Sequence, residues 1–494
     1  MMKNKAMRCV WLVCGLLMLA VTSCKDDLLY TDGEPIPEGE TTIIAQVDFR
    51  PLVEGLAGKS RTAGDAIKSI QDLCVLLYDT EGNFVEGHSL ESISNANPTD
   101  GQFYVNEVTR KDGDAPDGGT IAETKTPQAN LKLTIPYGRY YIYAVANMGE
   151  DFKKAVQAHG KENGAAEEVA KYKTAIATKE GLKSISLTWD VADVAKNSQM
   201  FGHFTIVGQE NNSELITINK KGMKLHSWIR RAASKVTIAY DGSKLEEGVF
   251  IYLKSVTIKD IPQNCCLGQD NPAVPENYQP KDRDEGVKLD LIKNGETIKY
   301  YEGDTEPTIS DFKETYEARI TKGKPLFGSK EQGENAYHPK KLADVHTEIT
   351  NALYFYENMQ GKGKEGTPSD KRQVVANTLN KTEPTYPNGG QENNEAWKDA
   401  KPYGTYIEVD AFYVSINDKK VGRGPIKYRF MLGKDVITDY NAERNHHYKL
   451  TLKFKGYAND ADWHIEYEEP EPGIEVPNPY YISYLYNCTM NLPD

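Results

Sequence analysis

No two cysteines in this chain of 494 residues stand as a CxxC pair, so zinc ribbons and thioredoxin-like redox chemistry lack their ligands. HExxH, GxSxG and the Walker phosphate loop are also missing, which removes the zincin, nucleophile-elbow and P-loop readings. There is no basic stripe. The formal net charge of −13 is spread along the chain, favouring a soluble surface and arguing against nucleic acid, whose phosphates it would repel. Tryptophan is scarce at five residues, and thirteen phenylalanines stand against thirty tyrosines, a balance that suits half-buried β surfaces better than an oily interior. No internal repeat of fixed short period is present. The apolar run Cys9–Val21 is too short to stay in a bilayer as a permanent helix.

What is there starts with that run. Lys3, Lys5 and Arg8 precede it, the order of a secretory signal that is removed on export. It ends in "LAVTSC", which resembles a bacterial lipobox, with Cys24 as the acylated residue and mature N-terminus. The "KDDLL" that follows resembles the surface-export signal of Bacteroidetes lipoproteins, implying an outer-membrane protein held through lipid on Cys24 and facing outward. Seven cysteines then fall to Cys74, Cys265, Cys266 and Cys488. Cys74, inside "LCVLLY", reads as a small buried hydrophobe. Vicinal Cys265 and Cys266 cannot bridge each other without strain, so no disulfide scaffold is expected.

Length alone predicts two or three domains, and two is the working expectation. After a polar tether, "TTIIAQVDF" alternates, with Ile43, Ala45, Val47 and Phe49 on one face, and reads as a half-buried strand. The break "EGLAGKSRTAGDA" has no apolar pattern to hold it down. "LCVLLY" predicts a buried strand, closed by the turn Asp79–Gly82 and answered by a second strand through Phe84 and Val85. Two strands flank Pro136–Gly138, and "AAEEVAKYKTAIA" is the best helix by composition. "SISLTWD" and "MFGHFTIVG" return to strand near an expected boundary. From Trp228 the strand pattern restarts, interrupted by a polar stretch from Gln263 to Lys341 that is poor in periodicity.

Strands at irregular spacing with few helices predict two β-sandwich-like domains with loop insertions. The expected division is 1–24 signal, 25–61 tether and first strand, 62–215 and 216–467 the two domains, and 468–494 a tail. That tail begins as a leash, "EEPEPGIEVPNP", whose four glutamates and four prolines keep it extended. Beyond it Tyr480, Ile482, Tyr484, Tyr486, Cys488, Met490 and Leu492 alternate as one apolar face of a strand.

Other motifs read blandly. "GKGKEG" has G-x-G-x-x-G spacing without the βαβ context that a dinucleotide site needs. Asp112–Glu123 has calcium-loop acids, but Pro116 takes a ligand position and Asp117 the required glycine's. His446 and His447 point to opposite strand faces and would need distant partners to ligate a metal. No metal and no cofactor is expected.

At "SRTAGDAIKSIQDLCVLLYDTEGNFV", "YGRYYIYAVANMG", "IRRAASKVTI" and "YRFMLGKDVITDYNAERNHHYKLTLKF", the sequence resembles the fimbrillin superfamily of Bacteroidales, the FimA/Mfa-like subunits of type V pili and their accessory proteins. The resemblance implies two transthyretin-like β-sandwich domains, lipoprotein export, cleavage by an arginine-specific protease and polymerisation by strand exchange. It places the cut between Arg61 and Thr62, Pro51 disfavouring the rival Arg50. Arg61 reads equally as an ordinary solvated linker residue. On physical grounds, excising Ile43–Phe49 from a sheet would leave an edge that an alternating strand could refill. Either Tyr480–Leu492 is that donor, or it completes its own domain as a last edge strand.

The expected function is therefore non-enzymatic: a structural or adhesive subunit of a surface pilus, as stalk, tip or accessory subunit. Its expected partners are other pilins and a host or bacterial surface ligand. The alternatives are a carbohydrate- or other ligand-binding outer-membrane lipoprotein, an anchor subunit retaining its lipid, and a secreted hydrolase with convergent carboxylates.

Overall fold

A computed structural model describes residues 35–49, 53–54, 72–86, 88–92, 99–100, 128–157, 167–190, 198–207, 213–272, 289–301, 318–323, 328–329, 338–339, 352–362, 404–419, 421–433, 439–457 and 465–467. The chain is mainly β. The alternating segment near its start is a strand, Glu40–Phe49, lying inside a sheet and not at its rim. On one side it pairs antiparallel with Gln128–Pro136, on the other parallel with Lys224–Arg231. The sheet continues through Met200–Ile206 to Gly138–Ala146, which also pairs with Leu73–Tyr78 and Leu215–Ile218. It curls so that Leu73, Val75, Leu77, Ile142 and Ala144 share one core with Ile43, Ala45 and Val47.

Leu73–Tyr78 is buried on both faces, which its unbroken apolar run announces. Its other face meets helices Gly149–Gln157 and Glu167–Ile176, where Cys74, Leu76 and Tyr78 pack with Phe152, Val169 and Ile176. Asp72, at the foot of the strand, accepts the Met148 and Gly149 N–H groups at 2.8 Å each, which fixes the first of these helices to the sheet. Cys74 is 1% exposed and is not bridged in a disulfide. The expected second strand at Phe84 and Val85 shrinks to a bridge between Tyr78 and Phe84. The Val85 N–H still donates to Leu77 O at 2.9 Å, while the Phe84 N–H, pointing to the opposite side, donates to Ala177 O at 3.0 Å.

Two five-stranded sheets enclose a second core. Ala233–Leu245 lies between Ala352–Tyr356 and His446–Gly456, facing Val249–Pro262, which is flanked by Tyr406–Ser415 and Leu291–Lys299. Val236, Ile238, Tyr240, Ile251, Leu253, Ile407, Val409, Leu450 and Leu452 fill the space between. The expected division at 215/216 falls inside the first sheet, because Leu215–Ile218 and Lys224–Arg231 both pair there; the strand pattern that restarts at Trp228 begins in the first body. The polar stretch from Gln263 contains strand Leu291–Lys299, whose half-exposed residues mask any alternation.

Buried charge clasps the loop that follows Val249–Pro262 to the second body. Arg444 Nη2 lies 3.0 Å from Glu357 Oε1, with the two side chains 2% and 4% exposed. Its remaining N–H groups donate to the carbonyls of Cys266, Leu267 and Gln269 at 2.9, 3.1 and 2.8 Å. Burial alone would raise the Glu357 carboxyl, but the Arg444 charge and hydrogen bonds outweigh it and hold it below the usual range. The clasped loop is tied to the first body because Asn264–Cys266 pairs with Ser186–Thr188. Cys265 is 1% exposed and burial pushes its thiol up to about 12; neither it nor Cys266 is bridged.

A buried histidine in the first sheet makes a measurable pH term. His203 is 3% exposed, beside Tyr143 and 3.9 Å from Glu214 Oε1, with Lys183 and Arg230 also acting on it. Burial lowers its imidazole from 6.5 to about 4, the Glu214 charge opposing this. Between those values the unfolded chain binds more protons, so stability falls as pH falls, by about 3 kcal/mol in all. Urea midpoints measured from pH 6.5 to 4 should show this slope, and His203→Gln should flatten it.

Candidate functional site: the slot of the leading strand

The period-2 alternation of Glu40–Phe49 sets what the strand buries. Ile43, Ala45 and Val47 are fully buried, while Ile44 on the other face is 43% exposed. Across the antiparallel seam Ile43 aligns with Leu133, Ala45 with Leu131 and Val47 with Ala129. Across the parallel seam Ala45 aligns with Leu225, Val47 with Ser227 and Phe49 with Ile229. Thus Ala45 sits between two leucines, and Val47 between two small residues. Gly39, at φ +94°, turns the chain into the strand, and its carbonyl accepts the Tyr137 N–H at 2.9 Å. On the solvent face the Thr42 and Thr134 hydroxyls lie 3.0 Å apart.

Burying Ile43 and Val47 is worth about 1.5–3 kcal/mol each, and backbone bonds on both edges add to this. Taking this strand away would therefore leave more than a bare rim. Gln128–Pro136 and Lys224–Arg231 would face each other across an apolar slot one strand wide, each with an unpaired ladder. The hydroxyls of Thr41 and Ser227 are also buried along this seam without a hydrogen-bond partner among the described residues. Past the strand, Val53–Glu54 pairs parallel with His446–His447 in the second body, so the segment carrying the leading strand touches both.

The family model that matches the chain is a domain of unknown function (DUF4906), over residues 353–452. No curated protein sequence matches. Among solved structures, a protein assigned to cell adhesion from Parabacteroides distasonis aligns over 88% of this chain and 98% of its own, at 10% identity and a TM-score of 0.39. The tip fimbrial protein Mfa3 of Porphyromonas gingivalis, with a C-terminal truncation, aligns over 87% and 99%, at 9% identity and 0.35. The fimbrial anchor protein Mfa2 of Porphyromonas gingivalis covers less, 48% of this chain and 68% of its own, at 13% identity and 0.20. At these identities and TM-scores, what the slot does rests on its own geometry.

Of the residues singled out in the sequence, Ile43, Ala45 and Val47 are brought together in the slot, and Phe49 is the last residue of its strand. Cys24, Arg61, Thr62, the alternating tail from Tyr480 to Leu492 and the calcium-like loop lie outside the described residues. His446 and His447 are buried in structural bonds. His446 Nδ1 is 2.7 Å from Arg444 O, and His447 Nε2 is 2.8 Å from Thr237 Oγ1. Sequence reasoning missed Lys224–Arg231 as the parallel wall of the slot. "KLHSWIRR" does alternate, with Leu225, Ser227 and Ile229 inward, and that was the available signal. No helix among the described residues is long and apolar enough to cross a membrane.

Proposed function

We propose that this chain is a structural or adhesive subunit of a cell-surface pilus, built from two transthyretin-like sandwiches, exported as a lipoprotein acylated on Cys24 and assembled by strand exchange. Cleavage between Arg61 and Thr62 releases the segment that carries Ile43, Ala45, Val47 and Phe49. The tail from Tyr480 to Leu492 of another subunit then fills the vacated place. The observation that carries this reading is the position of Glu40–Phe49, between two neighbours and with Ile43, Ala45 and Val47 fully buried, yet ahead of a linker that contains an arginine. A strand there can be excised without cutting any other element of the first sheet, and the seam it leaves takes a strand of the same alternation. Contact between a tail and another copy's slot is heterologous and does not close, so it propagates as a fibre. The chemistry is assembly and adhesion, not catalysis.

The test is to incubate the purified precursor with an arginine-specific protease and follow the new N-terminus and the mass of the products. Cleavage before Thr62 followed by a ladder of multimers is the expected result. An uncut chain, or a cut one that stays monomeric, would refute polymerisation through this slot.

A further inference from the structure

We infer that the incoming strand is accepted in a single register, with Cys488 of a second copy in the place of Ala45. This rests on the strand-exchange reading and adds to it the pairing that decides which subunit end fits. In the slot the row at Ala45 is the constricted one, with Leu131 on one side and Leu225 on the other, both buried. A methyl group fills what they leave. The inward face of the tail reads Tyr480, Ile482, Tyr484, Tyr486, Cys488, Met490, Leu492, and Cys488 is its single small side chain. A slip by two residues would put Tyr486 or Met490 between the leucines and overpack a row whose three members are all buried. A slip by one would turn Ser483, Asn487, Thr489 and Asn491 into the core, leaving their polar groups buried. Cys488 behaves as a small hydrophobe, as a free buried cysteine does. The match holds for either direction of the incoming strand. With Cys488 opposite Leu131 and Leu225, the tail has residues to face every position of Glu40–Phe49 both ways round.

The test uses the full chain, matured with an arginine-specific protease, and variants in the tail. At equal protein concentration Cys488→Phe should cut the yield of multimers at least tenfold, and Cys488→Ala should assemble as the parent does. Diamide oxidation of Leu131→Cys or Leu225→Cys chains should link Cys488 of one copy to the new cysteine of another, lost in Cys488→Ser. Normal assembly by Cys488→Phe, or a link from Cys488 to Ala129→Cys in place of the Leu131 row, would overturn the register while leaving exchange standing. Assembly undiminished when residues 480–494 are deleted would instead overturn exchange itself.

Discussion

Deleting residues 480–494 should leave the protease-matured chain monomeric at concentrations where the parent forms multimers, with the uncut precursor unaffected. With Cys488 in the place of Ala45, the side chains of Tyr484, Tyr486, Cys488, Met490 and Leu492 fall within the length of Glu40–Phe49, and at about 1.5–3 kcal/mol for each large residue fully buried their gross gain is on the order of 10 kcal/mol, before the cost of ordering the strand. The ladder bonds offered by Gln128–Pro136 and Lys224–Arg231 add to it on both edges. No other segment of this sequence beyond the leash has this pattern, so its loss should abolish assembly and not merely weaken it. The precursor serves as the control because its slot is already filled by Ile43, Ala45 and Val47. Size-exclusion chromatography with light scattering reads the result, and multimers formed without the tail would sink the donor assignment.

Glu357→Ala should destabilise the fold by about 3–5 kcal/mol, the usual cost of stranding one member of a buried ion pair. Arg444 would keep its carbonyl partners at Cys266, Leu267 and Gln269 but lose the only countercharge within 3.0 Å among the described residues. Its other acidic neighbour, Asp270, is 3.9 Å away with a side chain 65% exposed, and screens weakly. The signature that separates stranded charge from lost volume is the double change Glu357→Leu with Arg444→Met, which should cost less than Glu357→Ala alone because no unpaired charge stays behind. Urea unfolding of the three chains checks this. A double change that is worse than the single one would show that the carbonyl contacts matter more than the ion pair.

Local pattern was enough to recognise the strands that face a core on one or both sides. "TTIIAQVDF", "LCVLLY" and "VFIYLKSVTIKDIP" carry their burial in their own side chains, and each became a strand at those positions. Elements set by distant neighbours were harder to see. Leu291–Lys299 has mixed exposure and reads as polar linker until Val249–Pro262 lies beside it. The clasp was hidden for another reason: Glu357 and Arg444 stand far apart in the chain, and charged residues read as surface until burial and a partner are known.

By itself, the sequence determined the character of each strand and its apolar face, because side chains alternate with period 2 whatever the strand pairs with. That was sufficient to select Ile43, Ala45 and Val47 as one buried row. The tertiary structure alone decided that this row lies between an antiparallel and a parallel neighbour, that the first sheet runs on to Arg231, and that Arg444 is spent on a buried pair with Glu357. Pairing partners are chosen by contacts between residues remote in the chain, and no local periodicity records which strand will lie beside which.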